Sequence, residues 1–192
     1  MSRLIAALGV TAVIAVSGAA QTMGSPERFT AFAVNMGSLS GRTSSSAVDI
    51  VVNRWSSEAE RGRLMSTLLD KGPEKLLEAL QKNPKVGYIR TPNSLGYDLH
   101  YAHKTPLPEG AERVVIATDR YITFWEARNQ PRSIDYPFTV IEMHIDRDGK
   151  GEGKMSIATK IQVDKESQTI ELENYGTQPA LLENVHREEK KK

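Results

Sequence analysis

Over residues 139–163 the chain repeats with a period of two. Thr139, Ile141, Met143 and Ile145 occupy alternate positions, and Met155, Ile157, Thr159, Ile161 and Val163 do the same in the next segment. Such alternation is what a strand with one face in a core and one in water requires, and a helix would scatter these residues around its circumference. Ile170 and Leu172 continue the pattern, so this region predicts three consecutive strands in an antiparallel meander. A glycine-rich turn over residues 147–153 (RDGKGEG) and a tight turn near Glu166 and Ser167 connect them.

Further strands are expected earlier. Residues 29–34 (FTAFAV) and 48–52 (VDIVV) have strand composition, and the Gly/Ser-rich residues 36–46 between them predict a loop. Tyr97, Leu99 and Tyr101 alternate with Asp98 and His100, and short apolar runs follow at residues 114–117 and 121–125. Between the second and third strands the period changes. Ser57 and Glu60 form a capping-box pair, Leu64, Met65, Leu68 and Leu69 recur at helical spacing, and Lys71-Gly72-Pro73 ends one helix and starts another that carries Leu76, Leu77 and Leu80. The expected fold is therefore α+β: a mainly antiparallel sheet of about eight strands, curled into a partial barrel, with a helical hairpin inserted.

There is no cysteine, so neither a disulfide nor a thiol site supports this fold. Residues 4–16 (LIAALGVTAVIAV) follow Arg3 and precede small residues, which reads as a signal peptide over 1–20; the apolar run of about 13 residues is short for a membrane anchor. The organisation that follows is a flexible segment at 21–26, one domain over 27–186 and a charged tail, REEKKK, at 187–192. The expected location is the bacterial periplasm or exterior. Net charge is +1, and losing Arg3 with the signal brings it to zero, which leaves no basic footprint for nucleic acid.

Motifs for chemistry are sparse. Residues 37–41 (GSLSG) miss the nucleophile elbow, because Leu39 stands where serine must be. Asp146, Asp148 and Gly151 match three positions of a calcium loop, but Lys150 and Ile157 fall where oxygen ligands belong. In IEMHID, Glu142, His144 and Asp146 share the polar face of a strand, with Lys154 available for pairing on the strand opposite. Three residues spaced along one strand cannot converge on a metal without help, and His100 and His103, three apart, belong on opposite faces. No metal or cofactor is expected. The segment 124–138 (FWEARNQPRSIDYPF) is different, because it combines Trp125, Arg128, Asn129 and Arg132 in one connection, and arginine and aromatic side chains suit recognition surfaces.

Three stretches, VGYIRTPNSLGYDL at 86–99, FWEARNQPRSIDYPF at 124–138 and ENYGTQP at 173–179, resemble a family of exported bacterial hypothetical proteins. The resemblance implies export and implies no activity. Two functions stand against each other. One is a non-enzymatic module that binds a small molecule or an envelope partner through Arg90, Trp125, Arg128, Asn129 and Arg132. The other is a hydrolase or metal-dependent enzyme using Glu142 and His144 with His100.

Overall fold

The computed structural model describes residues 26–35, 44–92, 95–120, 122, 138–157, 160–164, 169–173 and 180–188. The expected signal peptide at 1–20 and the segment to residue 25, the Gly/Ser-rich stretch as far as residue 43, the 123–137 segment and the residues from 189 lie outside the described residues.

Eight strands close into a barrel: β1 (Glu27–Asn35), β2 (Ser44–Val52), β3 (Gly87–Arg90), β4 (Tyr97–Pro106), β5 (Glu112–Thr118), β6 (Thr139–Ile145), β7 (Lys150–Ile157) and β10 (Ala180–Arg187). Each pairs antiparallel with the next, and β10 returns to β1. β8 (Lys160–Asp164) and β9 (Thr169–Glu173) form a separate two-stranded sheet. The sheet is thus fully closed, where the sequence suggested a partial barrel. Closure requires tilted, staggered strands, and the register has that stagger. The row that starts at Glu27, the first residue of β1, passes through Val52, Gly87, Leu99 and Thr118, the last residue of β5.

Inside, alternate residues make one core that includes Phe29, Ile50, Ile89, Leu99, Ile116 and Met143, all of them fully buried. Apolar residues fill the middle of the barrel, and the charged side chains that point inward gather at one mouth. A second apolar layer lies on the outer wall. Helices α1 (Glu58–Lys71) and α2 (Pro73–Lys82) set Leu64, Leu68, Leu76 and Leu80 against Ala117, Phe138, Tyr101 and Val140. The hairpin forms as its sequence requires. The Ser57 hydroxyl accepts the Glu60 amide at 3.1 Å, the Glu60 carboxylate accepts the Ser57 amide at 2.8 Å, and Gly72 takes φ +84° between the helices. Arg54 then clamps Glu60 through two 2.9 Å hydrogen bonds.

Because β3 is short, the lower half of β4 has no strand beside it on that edge. Ser56 substitutes for one: its amide donates to the Ala102 carbonyl at 2.7 Å and its hydroxyl accepts the Ala102 amide at 3.1 Å.

Several expected boundaries shift. Residues 44–46 belong to β2, not to the loop before it. The turn after β6 is confined to residues 146–149, with Gly149 at φ +78°; Gly151 and Gly153 lie within β7, where a Cβ would collide with the carbonyls of His144 and Glu142. Asp146 organises this turn by accepting the amides of Asp148 at 2.9 Å and Lys150 at 2.8 Å on one carboxylate oxygen. The segment 155–163 is not one strand, since β7 ends at Ile157 and β8 leaves the barrel. Its place beside β7 is taken by β10, which the sequence reading did not find, and Arg187 is the last residue of that strand, not the first of a tail.

Candidate functional site

The connections sort by end. At one end the connections are residues 53–86, which carry the helical hairpin onto the outer wall, residues 107–111 and the turn at 146–149. Its mouth holds two acids and two bases on inward-facing positions. Glu27 accepts from Lys104 at 2.9 Å and from the Trp55 indole at 3.2 Å, Arg187 bonds Glu112 and approaches Glu27 at 3.6 Å, and Lys104 lies 3.7 Å from Glu112. The Lys104 ammonium also sits 4.9 Å above the Trp55 ring and Arg187 5.4 Å above Phe29. This end is sealed.

At the other end β1, β3, β5 and β7 finish, and the connections that follow them begin. The root of the 119–138 connection is knitted by two threonines. Thr118 Oγ1 accepts the amides of Arg120 at 3.2 Å and Thr139 at 3.4 Å, and Thr139 Oγ1 accepts the Ile122 amide at 3.3 Å. Ile122 turns into the inner core, while Phe138 joins the layer under the helices. The 119–138 connection is therefore anchored at both of its ends by buried apolar residues.

Of the candidate ligand contacts, Arg90 lies at this end, as the last residue of β3. Its neighbour Ile89 points inward, so Arg90 is on the outer wall, 3.4 Å from Asp49 and with its guanidinium 5.6 Å over the Tyr88 ring. Trp125, Arg128, Asn129 and Arg132 lie outside the described residues.

Glu142 and His144 take the polar outer face of β6, as their alternation with Ile141, Met143 and Ile145 required. Glu142 is held by Arg113 at 2.7 Å and Lys154 at 3.2 Å, with His144 at 3.4 Å. Partial burial acts to raise the Glu142 carboxyl, but the hydrogen bonds from Arg113 and Lys154 outweigh it and hold the group below its ordinary value. A carboxylate so committed is a poor general base, and His144, 57% exposed, stands on an open wall. IEMHID is the wet side of a strand.

His100 is elsewhere. Leu99 faces Thr118 and Tyr101 faces Ala117, so one extra residue bulges in β4 at this point. The bulge shifts the alternation, and His100 and His103 both meet the helical layer, contrary to the opposite faces their spacing implied. The His100 Nδ1 is 2.9 Å from the carbonyl of Asn83, just past α2, and its Nε2 is 3.5 Å from Asp119. His103 reaches Glu58 of α1 at 3.8 Å and stacks on Tyr101; its burial lowers its pKa. Neither Asn83 nor Asp119 is marked by any sequence motif, since a bulge and a chain reversal bring them together. Among the described residues no three histidine, aspartate or glutamate side chains converge as a metal site.

No family model matches this chain, and no curated protein or solved structure is similar to it.

Proposed function

We propose that this is an exported bacterial binding module, not an enzyme, and that it takes a small anionic molecule at the loop end of the barrel. The observation that carries the reading is the asymmetry of the ends: the mouth of one is filled by paired ions, with its longest connection folded onto the outer wall as the helical hairpin, and the arginine- and aromatic-rich 119–138 connection starts from the other. Loops held on a rigid scaffold are where recognition residues gather, and the mouth of a small barrel is a common binding place. Because the inner core is occupied by side chains such as Phe29, Ile50 and Met143, the ligand belongs on the rim and not in the lumen. Arg128 and Arg132 supply planar, bidentate donors suited to carboxylate or phosphate, and Trp125 and Asn129 add contact area and directed hydrogen bonds. The sequence resemblance to exported bacterial proteins supports the compartment.

A thermal-shift screen against carboxylates and phosphate esters tests this, because a ligand selective for the native state raises Tm. The expected result is a shift that is lost in Arg128→Ala and Arg132→Ala while the unliganded Tm stays within about 1 °C. Shifts unaffected by either substitution would sink the rim assignment.

A further inference from the structure

The geometry points to a divalent transition-metal site of the zinc class between His100 and Asp119, on the outer wall where the 119–138 connection leaves β5. A carbonyl can only accept, so the Nδ1 of His100, 2.9 Å from the Asn83 carbonyl, carries the proton. In the neutral ring Nε2 is then a bare lone pair, and it faces the Asp119 Oδ1 at 3.5 Å. That separation is long for a hydrogen bond and short for a bridging water making two ordinary ones. It suits two ligands of one tetrahedral cation, for which bonds of about 2.0–2.1 Å give a ligand–ligand distance of about 3.4 Å.

Three further features agree. A ligating histidine usually donates its other ring N–H to a carbonyl or carboxylate, which fixes the tautomer as it is fixed here. The Asp119 Oδ1 is buried without a hydrogen-bond partner, an acceptor left for something else. Both side chains are nearly buried, 12% and 14% exposed, and so are already positioned. Arg120 is the competing cation, at 3.8 Å from the same oxygen, but its side chain is 73% exposed and free to turn into water. Two protein ligands are one fewer than the three of a catalytic zinc site, so the ion would be held weakly, with water at its remaining positions.

The test uses the purified, chelator-treated chain with no metabolite present, so its outcome is separate from that of the rim-binding reading. Titration with Co2+ and Zn2+, followed by cobalt absorption and calorimetry, is expected to give saturable binding of one equivalent. Asp119→Asn and His100→Gln should each weaken it at least 10-fold, with far-UV circular dichroism checking their fold. Nitrogen NMR of the unmutated protein covers the case of a misfolded variant: zinc should move the His100 Nε2 resonance before that of His103, His144 or His186. Absence of binding, equal affinity in both folded variants, or first perturbation of another histidine overturns the site.

Discussion

At the sealed end the chain puts charge inside, where Glu27, Lys104, Glu112 and Arg187 neutralise one another over the inner core. At the loop end the mouth at the root of the 119–138 connection is filled by an apolar residue, Ile122, whose amide is tied to the Thr139 hydroxyl. The difference teaches where each kind of substitution will tell. Charges placed inside a barrel cost desolvation and hold only as a set, so losing one strands the others. An apolar stopper is replaceable at the cost of a cavity. The sealed end is thus the fragile one to change, and the loop end is the one free to vary.

The largest effect that would break this contrast is Glu27→Ala. It leaves Lys104 and Arg187 with one carboxylate between them and is expected to cost about 3 kcal/mol in urea unfolding. A cost below about 1 kcal/mol would mean that the ions merely decorate the mouth. Ile122→Ala should cost about 2 kcal/mol, since its neighbours at the rim can partly close the space. Equal or greater loss at Ile122 than at Glu27 would reverse the ranking of the ends.

Acid sharpens the comparison, because the groups held away from their ordinary pKa line the outer wall and the helices. Burial lowers His103, so the unfolded chain binds that proton more readily, and stability falls as pH drops below the ordinary histidine value of 6.5. The Arg54 hydrogen bond holds Glu60 low, and Glu142 is held low by Arg113 and Lys154 despite its burial, so their contribution is present above the ordinary value of 4.5 and is lost as pH falls through the folded one. Melting curves from pH 7 to about 2.5 should show Tm falling in both windows, with the lower drop reduced in Glu60→Gln. A flat profile would contradict it. The smallest effect is that of His144→Ala, expected within about 0.5 kcal/mol and without loss of any ligand-induced shift, because the ring is exposed and Glu142 keeps two other partners.

The helical hairpin was legible because its signals are local: a capping box, a Gly-Pro junction and a leucine stripe all lie within a few turns. β6 was legible for the same reason. Closure was not, since stagger is a property of eight registers together and leaves no mark in any one strand. β10 was hidden by a bulge at Glu183 and Asn184, the latter at φ +51°, which places Ala180, Leu182, Val185 and Arg187 inward at spacings of two, three and two. A strand whose alternation slips, and whose last inward residue is an arginine, does not read as a strand. The same slip in β4 concealed that His100 meets Asp119, and Arg113 was overlooked because its link to Glu142 crosses strands diagonally.

The seam that completes the barrel joins β1 to β10, the first strand to the last. Until residues 180–187 are available, β1 exposes a row of unpaired amides and carbonyls with Phe32 beside them, an invitation to pair with another chain. Folding must therefore wait on the whole barrel, and its pace is set by the longest sequence separation in the molecule, which favours a slow search over stepwise assembly from the N-terminus. A chain delivered unfolded and all at once meets that requirement better than one that tries to fold as it emerges.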